Sequence, residues 1–228
     1  MEEFGQGIWI ANGPDITVAG FPYSTRMAIV GLRNGDLFLW SPIALDETLR
    51  LAVDALGRVA HIVAPNALHH LFLAEWQHAY PDARLHAAPG LRGKRDDISF
   101  DADLGDTPDP AWAGEVDQVA MRGNLITTEI VFFHRDSGTI LFTDLLQQIP
   151  GERLSGWRRL VAKLDLMAGV EPAVPRKFRL AFVDRPAARA AMETILAWPA
   201  RKVVMAHGTP VEQDAPAFLR RAFGWLKG

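Results

Sequence analysis

The chain has 228 residues, of which 49% are hydrophobic, and a formal net charge of -3 at pH 7. This charge argues against nucleic-acid binding, which usually relies on a clustered basic face. No apolar run approaches the roughly 20 residues that span a bilayer. The absence of cysteine excludes disulfides, thiolate metal sites and cysteine nucleophiles. The acidic start, MEEFGQGIWI, lacks the features of a signal peptide, so we expect a cytoplasmic protein without membrane association.

The first third of the chain is predicted to be mainly β-structure. MAIVGLRNGDLFLWSP has two apolar arms around an Asn-Gly pair, which indicates a hairpin. From residue 46 to residue 89, helix and strand patterns then alternate, in LDETLRLAVDALGRV, HIVAP, LHHLFLAEWQHAYP and ARLHAAPG. This alternation predicts parallel strands with helices on one face of the sheet.

A polar segment over residues 92–112, rich in proline and aspartate, predicts a long surface loop that shapes the mouth of a pocket. EVDQVAMRG, EIVFFHR and TILFTDLL then predict strands, and the last two form a hairpin around DSG. Helices are expected over 152–169, in DRPAARAAMETILAWP and at the C-terminus, with the strand RKVVMAHG before the last one. The order indicates an α/β (α+β) fold with two mixed sheets and outer helices, in one domain over residues 1–228.

Polar side chains able to bind a metal follow three apolar strands directly. His69 and His70 come after HIVAP, Asp144 follows TILFT, and His207 follows KVVMA. Ligands of open α/β sheets bind outside the carboxyl ends of the strands, and imidazole with carboxylate suits zinc, iron or manganese. Each residue also has an ordinary explanation, because the histidine pair could be solvated, Asp144 could cap a turn, and His207 could lie in a loop.

This order of motifs resembles the metallo-β-lactamase fold superfamily. Its members carry an HxHxDH motif after an early strand, a further histidine, a Gly-Asp after a hairpin and a late Gly-His. The resemblance covers nearly the whole chain and implies a four-layer αββα sandwich. It is most similar to a divergent, uncharacterised branch with the motifs APNxxHH, FTD and AHG, which stand here at residues 64–70, 142–144 and 206–208.

The resemblance implies that only one of the superfamily's two metal sites survives. Pro65 and Ala67 stand where the first two histidines belong, and the middle histidine maps near Leu125, so the first site has lost its ligands. The positions of the second site are occupied by residues able to coordinate, namely His69, His70, Asp144 and His207. Four such ligands leave an open position on a tetrahedral zinc ion only if one of them stays out or the coordination expands.

The function implied by the resemblance is a mononuclear, metal-dependent hydrolase of a small ester- or lactone-type substrate. Its cofactor would be one divalent ion, zinc first, with iron or manganese as alternatives, and Asp144 would orient water as well as bind the ion. Asn66 could bind substrate or cap a helix, and Gln147 could line the pocket. The alternative is a catalytically inactive, metal-free descendant that serves in binding or structure. A homodimer through the last helix or the 92–112 segment remains open.

Overall fold

The N-terminal part of the chain forms a seven-stranded mixed sheet in the computed structural model, which describes residues 1–227. Its strands are β1 (Glu2–Gly5), β2 (Ile8–Val18), β3 (Phe21–Gly31), β4 (Asp36–Trp40), β5 (Arg58–Ala64), β6 (Arg84–Ala87) and β7 (Ala102–Asp103). They lie in chain order across the sheet. Neighbours from β1 to β4 are antiparallel, and neighbours from β4 to β7 are parallel. The predicted β3–β4 hairpin and the predicted parallel strands β5 and β6 are therefore confirmed.

The second sheet has four strands and comes from the C-terminal part of the chain. Its strands are β8 (Val116–Met121), β9 (Glu129–His134), β10 (Thr139–Gln147) and β11 (Lys202–His207). The spatial order is β11-β10-β9-β8, with β10 and β11 parallel and the other pairs antiparallel. Strand β10 is buried along its whole length, including the polar Asp144 and Gln147. Because β10 and β11 are parallel neighbours, their carboxyl ends lie side by side.

The α-helices within residues 1–227 are α1 (Glu47–Asp54), α2 (Leu73–Ala79), α3 (Leu91–Lys94), α4 (Gly156–Leu164), α5 (Arg176–Ala181), α6 (Arg185–Ala197) and α7 (Ala215–Ala222). Asp46 caps α1 by accepting from the backbone N–H of Leu49 at 2.7 Å. Asp184 caps α6 in the same way, with Pro186 in the first turn. None of the helices in this part of the chain is long and apolar enough to cross a membrane.

Three of the four apolar clusters among residues 1–227 lie between four layers of secondary structure. Successive side chains of a strand point to opposite faces, so Val30 of β3 packs between the sheets against Phe132 of β9, whereas Ile29 packs outward. Trp76 of α2 covers the outer face of the first sheet. Ile195 of α6 covers the outer face of the second sheet. The layers run helix, sheet, sheet, helix, which confirms the expected αββα sandwich.

The segment over residues 92–112 differs from the predicted surface loop. It contains the end of α3 and strand β7, and its apolar side chains are buried. Leu104 and Trp112 reach the core between the sheets, while Ile98 and Phe100 pack under the first sheet. The polar composition misled the prediction because these few apolar residues, spaced among prolines and aspartates, are enough to fasten the segment to the sheet edge.

Helix α2 begins at Leu73, later than the predicted start at Leu68. The side-chain oxygen of Asn66 accepts from the backbone N–H groups of Leu68 at 2.8 Å and of His69 at 3.1 Å. This local turn takes the place of the first helical turn, because asparagine offers the backbone an alternative hydrogen-bond partner. His69 and His70 consequently lie in a turn between β5 and α2.

Candidate metal centre

Three of the predicted site residues come together at one end of the sandwich. His69 lies in the turn after β5, Asp144 lies in β10, and His207 is the last residue of β11. One nitrogen or oxygen atom from each of them lies within 4.8 Å of the others. The cluster stands at the carboxyl ends of strands in both sheets, where α/β folds commonly bind ligands.

Both imidazoles direct their Nε2 atoms at the same carboxylate. His69 Nε2 is 3.1 Å from Asp144 Oδ2, and His207 Nε2 is 3.7 Å from Asp144 Oδ1. On the other side of each ring, His207 Nδ1 donates to the backbone carbonyl of Ser24 at 2.6 Å, and His69 Nδ1 is 2.7 Å from Ser41 Oγ. An outer partner that fixes Nδ1 and leaves Nε2 free is typical of histidines that bind metals.

The tautomer of His207 follows from its partner, because a carbonyl oxygen can only accept a hydrogen bond. Burial lowers the pKa of His207 to about 4, although the nearby Asp144 opposes the shift, so the ring is neutral at pH 7. A neutral ring with its proton on Nδ1 has a lone pair on Nε2. Two acceptors, His207 Nε2 and Asp144 Oδ1, therefore face each other at 3.7 Å, and a cation between them satisfies both.

Asp144 is buried and held by amide side chains. Asn66 Nδ2 donates to Oδ2 at 2.8 Å, and Gln147 Nε2 donates to Oδ1 at 3.2 Å. Burial alone would raise the pKa of Asp144, but the contacts with His69, His207 and Asn66 overcome it and hold this pKa below its usual range. At neutral pH, where His207 is uncharged, the amide hydrogen bonds keep the carboxylate ionised. Asp144 is thus available as an anionic ligand.

Asn66 has a different role from the substrate contact predicted for it. Its side chain is fully buried and does not line the cavity beside the site. Its nitrogen supports Asp144, and its oxygen closes the turn that carries His69. The prediction of a substrate contact is therefore corrected, because every polar atom of this amide is already engaged inside the protein. Asn66 instead links a residue of the second sheet to a turn of the first.

Glu129, at the start of β9, is a functional candidate that the sequence did not reveal. Its carboxylate accepts from the backbone N–H groups of Thr143 at 2.7 Å, Asp144 at 2.9 Å and Leu145 at 3.0 Å. The pairing of β10 with β11 is interrupted between Phe142 and Gln147, so the N–H groups in between need another acceptor. Burial raises the pKa of Glu129 to about 7, and the nearby Asp144 adds to this. A single acid at the start of the apolar EIVFFH was its only signal.

His70 is not part of the cluster. Its Nδ1 lies 3.2 Å from Arg95 Nη1, and the same nitrogen of Arg95 donates to the His70 carbonyl at 2.7 Å. Burial and the nearby Lys94 and Arg95 lower the pKa of His70. The four-residue ligand set expected from the sequence is thus reduced to three, because adjacent residues in the turn point their side chains in different directions.

A cavity of about 350 Å³ opens onto the cluster. His69, Asp144 and His207 form part of its wall, and Gln147, predicted to line a pocket, is also part of it. The side-chain oxygen of Gln147 is buried and has no hydrogen-bond partner among residues 1–227. Much of the remaining wall is apolar, which is usual for a small-molecule site with a few polar groups.

Solved structures with the same fold include metallo-β-lactamases of low sequence identity. The enzyme from Pontibacter korlensis is 13% identical with a TM-score of 0.65, and the match covers 99% of this chain and 97% of that one. The enzyme from Erythrobacter litoralis is 15% identical with a TM-score of 0.65, covering 99% and 95%. The mono-zinc form of FIM-1 from Pseudomonas aeruginosa is 12% identical with a TM-score of 0.64, covering 99% and 93%. These matches confirm the metallo-β-lactamase fold that the sequence predicted.

Sequence comparison adds the family. The chain matches no functionally curated protein sequence. A family model described as a domain of unknown function, DUF4336, matches residues 15–166, a range that includes His69 and Asp144 and ends before His207. Since this match covers more than half of the chain, the protein belongs to the DUF4336 family, and it has a metallo-β-lactamase fold.

Proposed function

We propose that His69, Asp144 and His207 bind one divalent metal ion, with zinc as the first candidate, and that this centre hydrolyses a small ester- or lactone-type substrate. The observation that carries the proposal is the contact between two acceptors. His207 Nε2 and Asp144 Oδ1 face each other at 3.7 Å, while His207 Nδ1 is committed to the Ser24 carbonyl. A buried pair of this kind is unfavourable without a cation between the two atoms.

The donor set fits such an ion. Catalytic zinc is usually held by three protein ligands with a fourth position open for water or substrate. The contact of His70 with Arg95 keeps this fourth histidine away, so the set has three members. Two histidines and one carboxylate also suit iron or manganese with further open positions. The metal-free alternative is less favoured, because it leaves the lone pair of His207 Nε2 facing a carboxylate oxygen.

The chain's own residues would orient a substrate beside this centre. A divalent ion held there supplies Lewis-acid chemistry, polarising a carbonyl and lowering the pKa of water. Gln147 would hold Asp144 in place, because its nitrogen donates to Asp144 Oδ1 at 3.2 Å. Asn66 fixes Asp144 Oδ2, whereas Asp144 Oδ1 faces His207, accepts from Gln147 and would be the oxygen that orients water. The apolar wall limits competing water.

Metal content tests the proposal directly. The protein would be purified without chelator, equilibrated with zinc and dialysed, then analysed for metals beside His207→Gln and Asp144→Asn. We expect about one equivalent in the wild-type protein and a large loss in both variants. His78→Gln, at an exposed position of α2, is the matched control and should keep its metal. Two equivalents, or no zinc in folded wild-type protein, would contradict a single-ion site.

Hydrolysis is tested separately, with p-nitrophenyl butyrate and a γ-lactone as probes. We expect turnover by the zinc-loaded protein that exceeds that of the zinc-treated Asp144→Asn variant by at least about 100-fold. Equal rates for the two proteins would leave the metal site standing and overturn the hydrolytic assignment.

A further inference from the structure

Arg26, on β3, is a buried cation in the wall of the same cavity. Its side chain is only 8% exposed. Its Nε donates to Asn12 Oδ1 at 2.9 Å, and its Nη1 donates to the carbonyls of Met205 at 2.6 Å and Gly208 at 2.5 Å. Its Nη2 makes no hydrogen bond within residues 1–227 and is not fully enclosed by the protein. Two N–H donors thus remain free at an accessible position.

The charge of Arg26 has no close counter-ion. No carboxylate of the described residues lies within 4.0 Å of its guanidinium. Burial lowers the pKa of Arg26, and the exposed Glu2 opposes this only from a distance. Arginine nevertheless stays protonated in proteins. Because a buried charge is costly unless it is paired, an anion that enters the cavity would be favoured beside this guanidinium.

The other cations of the cavity are already engaged. Lys177 pairs with Asp165 at 3.5 Å, and Lys94 donates to the carbonyl of Ala67 at 2.9 Å. Asp144 is the only carboxylate in the described wall, against the three cations Arg26, Lys94 and Lys177, so the wall has a net positive charge with or without a metal ion. Lys94 and Lys177 are exposed to solvent, whereas Arg26 is buried.

The mouth of the cavity is apolar and exposed. Four of its wall residues are large hydrophobic side chains that remain open to solvent, namely Val18, Leu68, Leu71 and Ile126. A ligand that places an anionic group inward would lay an apolar chain along these residues. Together the two features describe an amphiphile with one charged end.

We propose that Arg26 binds a carboxylate of the substrate and that the substrate class is a carboxylate-bearing ester or lactone with an apolar chain. This inference rests on the proposed function for the reaction and on Arg26 for the anion. Since Nη1 is occupied by the backbone around His207, Nη2 alone offers donors, and the carboxylate is bound through one of its oxygens. Arg26 thus joins the strand that carries His207 to the bound anion.

The test compares octanoate with the neutral octanamide by titration calorimetry, on metal-depleted and on zinc-loaded protein. The two probes have the same chain and differ in the charge of one end. We expect octanoate to bind at least about tenfold more tightly than octanamide in both states, since hydrogen bonds to charged groups are the stronger ones. In Arg26→Gln this preference should disappear. Lys94→Met, which removes a cation already bonded to a carbonyl, should keep it.

Two further measurements separate the explanations. If the preference exists only in the zinc-loaded protein, the ion binds the carboxylate and the inference is overturned. If Arg26→Gln loses zinc but keeps the preference, Arg26 only positions the backbone around His207, which also overturns it. Arg26→Lys keeps a positive charge and should retain part of the preference, provided that circular dichroism shows a folded protein. Failure of the proposed metal site would leave the metal-free titration intact, so the two failures are distinguishable.

Discussion

His69 and His70 are adjacent in the chain but have opposite surroundings. His69 Nε2 lies 3.1 Å from the carboxylate of Asp144, whereas His70 Nδ1 lies 3.2 Å from the guanidinium of Arg95. Arg95 is itself fixed by a two-fold contact with Asp97, through its Nε at 2.7 Å and its Nη2 at 2.8 Å. Because a guanidinium repels a metal cation, Arg95 disfavours metal binding at His70, whereas the Asp144 carboxylate favours it at His69.

Replacing His70 should therefore leave the metal site intact. We expect His70→Ala to retain about one equivalent of zinc, whereas His69→Ala should lose most of it because one of the three ligands is gone. Elemental analysis of the two variants, purified and dialysed side by side, gives the answer. Loss of zinc from folded His70→Ala would show that the turn rearranges when an ion binds and that His70 is a ligand after all.

Ser41 is expected to act on the metal through His69. Its hydroxyl lies 2.7 Å from His69 Nδ1, and the residue is buried. In Ser41→Ala the ring loses the partner that fixes its orientation, and such outer partners are worth about 10- to 100-fold in metal affinity. Zinc affinity can be measured by competition with a chelating dye. Unchanged affinity combined with lost turnover would instead place the Ser41 hydroxyl on the substrate.

Glu129 should contribute to stability through its two acceptor oxygens. In Glu129→Gln an amide N–H₂ replaces one oxygen and confronts a backbone N–H of residues 143–145, which leaves a buried donor unpaired. We expect the free energy of unfolding in urea to fall by about 1–3 kcal/mol. Glu75→Gln, at an exposed position of α2, should change it by less than about 0.5 kcal/mol. Similar values for the two variants would mean that the backbone finds other acceptors.

The buried pair of His61 and His86 predicts a loss of stability in acid. His61 Nδ1 lies 3.2 Å from His86 Nε2, and both rings pack on Trp112. Burial lowers the pKa of both, that of His86 to about 4, with His61 adding to the effect. A histidine in the unfolded chain has a pKa of about 6.5, so below this pH the unfolded chain binds more protons than the folded protein. The free energy of unfolding therefore falls as the pH drops from about 6.5 towards 4.

Urea unfolding at pH 7 and pH 5 measures this effect. We expect His86 to account for a decrease of about 2 kcal/mol in the free energy of unfolding between these two values. His86→Gln should lack this part of the slope, whatever its stability at pH 7. His78→Gln removes an exposed histidine and should show the wild-type slope. Identical slopes in all three proteins would mean that the pair takes up protons without unfolding.

The element order and the convergence of three site residues were predictable because both follow from strand patterns. The apolar runs before His69, Asp144 and His207 set the strands, and strand direction places their carboxyl ends at one edge. The orientation of His70 was not predictable, because Arg95 approaches it from 25 residues away. Glu129 was missed for a similar reason, since its partners are backbone groups that become free only where β10 leaves its neighbour. Long-range contacts of this kind have no local sequence pattern.

The three proposed ligands are divided between the two sheets, since His69 follows β5 of the first sheet and Asp144 and His207 belong to the second. Either sheet alone presents an incomplete set, so an ion would bind tightly only after the two halves have docked. Metal binding would then also stabilise the folded protein. A free ion concentration of 1,000 times the dissociation constant adds about 4 kcal/mol to the free energy of unfolding. A bound ion would therefore stabilise the docked sheets. Core substitutions far from the centre, such as at Phe132, would weaken metal affinity by weakening the packing between the sheets.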